Sequence, residues 1–446
     1  MEKKSIRIGC GSGYAEDRIE PAVELAEKGD LDYLCFDSLA ERTLSMAQMR
    51  KLNDPNTGYD VRLDELAYTF LPYVDKGLKI IGNMGAANPK AAIKRVKEIA
   101  EELNLTNIRL AAITGDDVME NIKETDPTIL ETGEPLSQLP GTIVSANAYV
   151  GADAIVEALD NGANFIIGGR LADPSLFLGP MIHEFEWAED DWDRKGKGII
   201  MGHVLECGTH VTGGNFADPP YRVVPNLHRL GLPYAVVDES GDGVVKILED
   251  AGGLMTTETC KGQLVYEVHD PANYITPDGI ADLRNVTVKQ VGEDEVLVEN
   301  GSGKGRPEQL KVLVGVLEGY IGEGEMSFAG PGAYERAKLS QETLEKRFER
   351  LYKNNSLEIR YDIIGVNSIH GSAAPEPSEP PYDVRLRSAM RTESKEIAEE
   401  WAHEVELLYL LGGAGAGGNR RNVKQVLAMY STFIDYDDVQ LKVDMI

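Results

Sequence analysis

The stretch IVEALDNGANFIIGG at residues 155–169 decides the fold class of this chain. A helical segment stops at Gly162, and an apolar strand then leads into two glycines. The segment VELAEKGDLDYLCFD at residues 23–37 has the same order of helix, glycine and strand. Near-continuous apolar strands between helices are typical of a parallel sheet covered on both faces. The two segments are either copies of one βα unit or simply share the general form of such units.

We predict an α/β fold: a mostly parallel βα-repeat sheet domain, followed by a mixed αβ domain. An open sheet is favoured over a barrel, because about six strong βα units can be found where a barrel has eight. The expected boundaries are residues 1–225 for the parallel domain, 226–307 for a β-rich connecting region and 308–446 for the mixed domain. A chain of 446 residues is long enough for more than one core.

Charge and cysteine content restrict the partners and the compartment. The formal net charge is −29, so nucleic acid and anionic membranes would be repelled. The four cysteines are widely spaced and form no CxxC pair, which indicates a reducing compartment. No apolar run approaches the ~20 residues that span a bilayer. We therefore expect a cytoplasmic protein that is an oligomer.

Several polar residues follow predicted strands. They are Asp37, Asn83, Arg170 and Asp173. The carboxyl ends of parallel strands meet at one edge of the sheet, where ligands bind. Arg170 could bind a substrate carboxylate through two hydrogen bonds, or form an internal ion pair with Asp173, and both could hold together.

The stretch GHVLECGTH at residues 202–210 concentrates scarce ionisable groups. It contains His203, Glu206, Cys207 and His210. General acid–base catalysis by Glu206 or His203 is the favoured interpretation. Cys207 is then a nucleophile or a small core residue. A zinc-like ion on His203, Cys207 and His210 is a weaker alternative, and the sequence identifies no cofactor.

Glycine-rich segments supply candidate backbone donors. GCGSG at residues 9–13 is predicted to be a turn between a strand and a helix, with amides such as those of Gly11 and Gly13 facing an anion. Asn215 follows two further glycines and is a candidate for substrate binding. GGAGAGGNRRN at residues 412–422 is predicted to precede a helix. With Arg420 it forms either a phosphate cradle, for example for coenzyme A, or a flexible turn.

Long blocks of the sequence resemble the acyclic terpene utilisation family, AtuA. They include IIGNMGAANP, GGRLADPSLFLGP and GHVLECGTHVTGGNFADP, and together they span residues 8 to about 331. The resemblance implies catabolism of acyclic terpenes and branched acids, commonly as coenzyme A thioesters. It also implies that longer relatives carry a further C-terminal domain of ferredoxin-like fold. This chain is expected to be a short form that relies on a small companion protein for that part.

Together these features favour a lyase or hydro-lyase acting on a small branched carboxylate or its coenzyme A thioester. Glu206 or His203 would be the base, with Asp37 or Asp173 as the complementary acid. Arg170, Asn83 and amides such as that of Gly11 would hold the carboxylate or enolate. The alternatives are an accessory, coenzyme-A-binding subunit of a catabolic complex and an acyl transferase that depends on Cys207.

Overall fold

The computed structural model describes residues 4–352 and 357–446. The chain forms two compact units. The first contains the chain up to Leu139, together with Val144–Gly315 and Met429–Ile446. The second contains Pro140–Ile143 and Val316–Ala428.

The strands and helices follow in chain order. The strands are β1 Ser5–Gly13, β2 Tyr33–Asp37, β3 Lys79–Gly82, β4 Leu110–Thr114, β5 Thr142–Ala148, β6 Phe165–Gly168, β7 Tyr234–Asp238, β8 Gly243–Lys246, β9 Tyr274–Thr276, β10 Gly279–Asp282, β11 Thr287–Gly292, β12 Glu295–Glu299, β13 Ser302–Lys304, β14 Gln309–Ala329, β15 Glu358–Ile364, β16 Asp383–Thr392, β17 Gly417–Asp435 and β18 Lys442–Met445. The helices are α1 Glu20–Lys28, α2 Glu41–Asn53, α3 Leu63–Val74, α4 Pro89–Glu102, α5 Met119–Thr125, α6 Asp153–Asp160, α7 Ser175–Phe185, α8 Trp192–Glu206, α9 Thr257–Leu264, α10 Ala333–Leu351, α11 Lys395–Glu406 and α12 Leu408–Leu411.

The first unit contains a large open sheet, which confirms the α/β fold class. Its strand order is β11-β12-β8-β7-β1-β2-β3-β6-β4-β18. The central strands β1, β2, β3, β6 and β4 are parallel to one another. These strands are almost fully buried, because helices follow them along the chain and pack on the sheet.

Strands outside the first 225 residues extend this same sheet. β7, β8, β12 and β11 add antiparallel pairs beyond β1. At the other edge, the C-terminal strand β18 pairs antiparallel with β4. β5, which reads as one more strand of the parallel sheet, instead pairs with β14. Non-local pairing of this kind leaves no local signal in the sequence.

The glycine-rich segment at residues 9–13 is strand rather than turn, so the prediction was wrong. These residues belong to β1, and α1 begins only at Glu20. The glycines are required by close neighbours. A Cβ on Gly11 would lie 2.6 Å from the Phe36 ring, and one on Gly13 would lie 2.4 Å from the backbone of Cys207. The segment therefore packs the sheet closely instead of opening a helix.

The second unit has the order β14, α10, β15, β16, α11, α12, β17, with sheet order β15-β16-β14-β17. Two βαβ halves in this order form a ferredoxin-like arrangement. Its core packs α10 and α11 against the sheet through residues such as Trp401, Phe328 and Leu386. The resemblance places such a domain in a further C-terminal region of longer relatives, and this unit already has the arrangement within residues 316–428.

The residues after the glycines at 412–418 form a strand, not the predicted helix. β17 begins at Gly417 and runs to Asp435. Val423, Val426 and Leu427 favour a strand through their β-branched or bulky side chains. In the described ranges 4–352 and 357–446, no helix has the length and apolar character needed to cross a membrane.

Candidate functional site

Three adjacent parallel strands bring polar side chains together at their carboxyl ends. Asp37 ends β2, Asn83 follows β3 and Arg170 follows β6. The Asn83 side-chain amide donates to the Asp37 carboxylate at 2.8 Å, and its oxygen accepts from the Ser38 backbone at 2.7 Å. The predicted edge of the sheet therefore collects these residues, and Asn83 holds Asp37 in place.

The Arg170 guanidinium is buried and forms the internal ion pair with Asp173 that the sequence suggested. It is 1% exposed and donates to Asp173 and to the Leu39 and Leu171 carbonyl groups. Its Cζ lies 4.5 Å from the centre of the Tyr149 ring. The charges of Asp173 and Asp37 outweigh burial and raise the pKa of Arg170 above its usual value. Arg170 therefore stabilises Asp173, and it does not line the cavity described below.

Helix α8 places His203 and Glu206 on one face, three residues apart. The Asp191 side chain caps its start by accepting from the Arg194 backbone, and the helix ends at Glu206, before Gly208 adopts a φ of +53°. His203 Nδ1 lies 2.8 Å from Glu206 Oε1 and 3.3 Å from the Tyr274 hydroxyl. The two residues form a buried carboxyl–imidazole pair.

Burial controls the ionisation of this pair. It raises the pKa of the Glu206 carboxyl well above its usual range, and the charges of Asp173 and Glu267 raise it further. It lowers the pKa of His203 to about 4. At neutral pH His203 is thus neutral, and burial favours the protonated form of Glu206. Among the described residues, neither Glu206 Oε2 nor His203 Nε2 has a hydrogen-bond partner.

Asp37 belongs to the same electrostatic system. Burial raises the pKa of its carboxyl well above the usual range, and Asp173 adds to the effect, while Arg170 and Asn83 oppose it. Asp37, Asp173 and Glu206 therefore share the single positive charge of Arg170. We call these three carboxyl groups and Arg170 the carboxyl cluster.

A cavity of about 400 Å³ opens onto this cluster. Asp173 and Glu206 lie in its wall, and Glu41, Glu267 and Lys311 add the other charged groups. The remaining lining is aromatic or otherwise largely uncharged: Tyr149, Ala172, Pro174, Tyr274, Ile275, Thr276, Pro277, Pro307, Gln309, Leu310 and Phe433. Its size and apolar walls suit a small organic ligand.

Other predicted site residues lie elsewhere. Gly13, Cys207, His210 and Asn215 line a second, smaller cleft of about 290 Å³. His210 Nδ1 lies 2.7 Å from Gln263 Oε1. Gly11 packs on Phe36 inside the sheet, and so lines neither cleft.

The Arg420 site is separate. Arg420 lies on β17 in the second unit, beside Glu323 and Glu325. The predicted phosphate cradle is therefore not part of the carboxyl cluster.

Neither thiol chemistry nor a metal is favoured by this geometry. Burial, and then Glu206, raise the pKa of the Cys207 thiol, so the reactive thiolate is disfavoured. Within residues 4–352 and 357–446, no group of three or more histidine, cysteine or acidic side chains could hold a metal ion.

Sequence reasoning missed the residues that close the cavity. Tyr149, Glu267, Tyr274 and Lys311 come from distant segments, and no local spacing relates them to Glu206. Tyr274 belongs to the short strand β9. Its ring lies 4.8 Å from that of His203, a contact that only the fold creates.

The fold and the site define an α/β protein with a cavity at the strand ends of a parallel sheet, lined by a buried carboxyl group. The chain belongs to the acyclic terpene utilisation family, AtuA, whose model matches residues 6–445. Membership assigns it a role in acyclic terpene utilisation. No curated protein matches the chain.

Two designed proteins show a slight structural likeness. De novo designed protein Foldit4 is 12% identical with a TM-score of 0.17, covering 24% of this chain and 94% of its own. De novo designed protein Ferredog-Diesel is 20% identical with a TM-score of 0.16, covering 24% of this chain and 85% of its own. TM-scores this low do not define a shared fold.

Proposed function

We propose that the chain is a lyase or hydro-lyase that acts on a small branched acyl group carried as a coenzyme A thioester. One observation carries the proposal: a buried carboxyl group, Glu206, faces a cavity and leaves Oε2 without a partner among the described residues. Burial raises the pKa of this carboxyl well above its usual range. A neutral acid of this kind can donate a proton to a departing hydroxyl group.

Asp173 supplies the complementary carboxylate. It lies in the same cavity wall, and Arg170 holds it in an ion pair. In the dehydration direction, Asp173 accepts the proton from the carbon beside the thioester carbonyl. The C–H electron pair forms the C=C bond, and the hydroxyl group leaves with the Glu206 proton as water. Hydration is the reverse of these steps.

The charge of the cavity supports a thioester rather than a free acid. Among the residues that the structure describes, its wall carries four acidic residues, Glu41, Asp173, Glu206 and Glu267, and one cation, Lys311. A free carboxylate at the reacting end would face these acids, whereas a thioester carbonyl is neutral. Branched apolar chains also fit walls such as those formed by Leu310, Ile275 and Phe433.

The test is proton exchange and dehydration on a panel of branched 3-hydroxyacyl and 2-enoyl thioesters of coenzyme A in D₂O, followed by NMR. We expect Glu206→Gln and Asp173→Asn each to lower turnover by about 10²–10⁴-fold. Glu101→Gln, on the exposed surface of α4, is the matched control and should leave turnover unchanged. Undiminished turnover by Glu206→Gln would remove Glu206 from the mechanism. Exchange with none of the thioesters would favour the accessory role.

A further inference from the structure

We propose that the segment at residues 304–311 binds a phosphorylated handle of the substrate, outside the cavity that holds the acyl group. The identity of the acyl group rests on the proposed function, but the handle site rests on its own observations. We call Lys304, Arg306 and Lys311 the basic strip.

The basic strip stands out in a strongly acidic chain. The sequence KGRPEQLK at residues 304–311 has three cations and one acid, Glu308, although the whole chain carries a formal charge of −29. An anionic ligand needs a local cationic surface to overcome such a field. The strip provides one beside the cavity.

The strip leads out from the cavity mouth. Pro307, Gln309 and Lys311 line the cavity, and the Lys311 ammonium group is 3.4 Å from the Glu41 carboxylate with 43% of its side chain exposed. Arg306 precedes these residues, and its guanidinium lies 4.5 Å from the centre of the Tyr436 ring. Lys304 lies one step further, at the end of β13.

The charges of Lys304 and Arg306 remain available. Among the described residues, the Lys304 ammonium group donates to two neutral partners, the Ala272 carbonyl at 2.8 Å and the Asn273 side chain at 2.9 Å. Its charge also helps to lower the pKa of the carboxyl groups of Asp270 and Asp282. In the part of the chain that the structure describes, Arg306 forms no ion pair and stacks on Tyr436 instead. The neighbouring carboxylate of Asp435 accepts from Gln309. Arg306 also hydrogen-bonds to the Tyr436 side chain, and its remaining N–H groups could bind phosphate oxygens.

The three cations of the strip favour a multiply charged ligand. An extended chain covers about 3.4 Å per residue, so Lys304 and Lys311 are at most about 24 Å apart. A single carboxylate would use one of these cations, whereas a handle with a diphosphate and a further phosphate could use all three. In this arrangement the neutral acyl end of the ligand lies among the carboxyl groups, and its anionic end lies on the strip.

The test uses free coenzyme A as the probe, with calorimetric titration of the whole chain. We expect Lys304→Ala/Arg306→Ala to weaken coenzyme A binding by about tenfold or more, since two charge-assisted contacts are lost. Lys94→Ala/Lys97→Ala, on the exposed side of α4, makes the same change in net charge and should bind like the parent. Equal affinity of the two double variants would overturn the proposal.

A second measurement separates this proposal from the proposed function. For Lys304→Ala/Arg306→Ala, the preference for a coenzyme A thioester over the phosphate-free N-acetylcysteamine thioester should fall by about tenfold. Turnover of both thioesters without any preference in the parent chain would overturn the strip and leave the catalytic cavity standing. Strip-dependent binding of coenzyme A without turnover of either thioester would support the strip and overturn the proposed catalytic function.

Discussion

The carboxyl cluster and the ion pairs of the second unit are built from the same types of side chain, arginine and acidic residues, but differ in burial. In the second unit, Arg385 pairs with Glu325, Arg387 with Glu323 and Asp362, and Arg391 with Glu318, across neighbouring strands. We call these pairs the arginine ladder. Its arginine side chains are 28–42% exposed, whereas Arg170 is 1% exposed.

The difference shows what turns ion pairs into a site for proton chemistry. In the ladder, water reaches the arginines. Asp362 also pairs with Arg360, so four arginines face four carboxylates. In the cluster, Asp37, Asp173 and Glu206 share one buried arginine. The Asp173 side chain is 32% exposed, but Asp37 and Glu206 are buried, and burial raises the pKa of both. An excess of carboxyl groups over cations in a largely buried site therefore favours the protonated form of its carboxyl groups.

The largest expected effect comes from removing the one cation of the cluster. Arg170→Met should lower the free energy of unfolding by about 3–5 kcal/mol, because it leaves buried carboxyl groups without their partner. The loss should be smaller at pH 5 than at pH 8, since protonation relieves the uncompensated charge. Chemical denaturation at the two pH values measures both effects. A loss below about 1 kcal/mol at pH 8 would show that Arg170 does not balance the cluster.

A smaller effect concerns His203, the histidine that hydrogen-bonds to Glu206 of the cluster, and its pH dependence. Burial lowers the pKa of His203 to about 4, from an ordinary value of 6.5. The unfolded chain therefore binds this proton more readily, so the stability that His203 contributes is complete above pH 6.5 and is lost as pH falls to about 4. The loss amounts to about 3 kcal/mol.

The comparison of His203→Gln with the parent isolates this contribution. Stability measured from pH 7 to pH 4 should fall less steeply in His203→Gln than in the parent, by up to about 1.4 kcal/mol per pH unit. His403→Gln, at an exposed position on α11 of the second unit, controls for exchanging an imidazole for an amide. Parallel curves for His203→Gln and the parent would mean that His203 is not held neutral by burial.

The sequence predicted those site residues whose positions follow from local structure. Asp37, Asn83 and Arg170 each follow an apolar strand, and adjacent parallel strands must end at one edge. The full length of α8 was not predicted, because Gly196, Gly198 and Gly202 weaken helix propensity. The fold requires these glycines. A Cβ on Gly196 would lie 2.3 Å from the Ser302 carbonyl oxygen, and one on Gly202 would lie 2.6 Å from that of Pro174.

Residues that depend on distant contacts could not be predicted. Tyr149, Tyr274 and Lys311 meet Glu206 only in the folded chain. The strand that replaces the predicted helix after residue 417 pairs with β14, almost a hundred residues earlier in the chain. The ladder was also missed, although Arg385, Arg387 and Arg391 alternate along one strand. A period of two marks a strand face, but it does not identify the acids opposite.

The smallest expected effect lies in the ladder. Arg385 pairs with Glu325 at 2.8 Å, and the exposed fraction of its side chain is 32%. Because water already solvates both charges, Arg385→Gln should change the free energy of unfolding by about 0–1 kcal/mol. Any loss should shrink when salt is raised, because ions screen exposed charges. Denaturation of the parent and Arg385→Gln at low and high salt tests this.

A loss as large as that of Arg170→Met, unchanged by salt, would mean that water reaches the ladder no better than it reaches Arg170. Solvent access would then not explain why only the cluster retains protons.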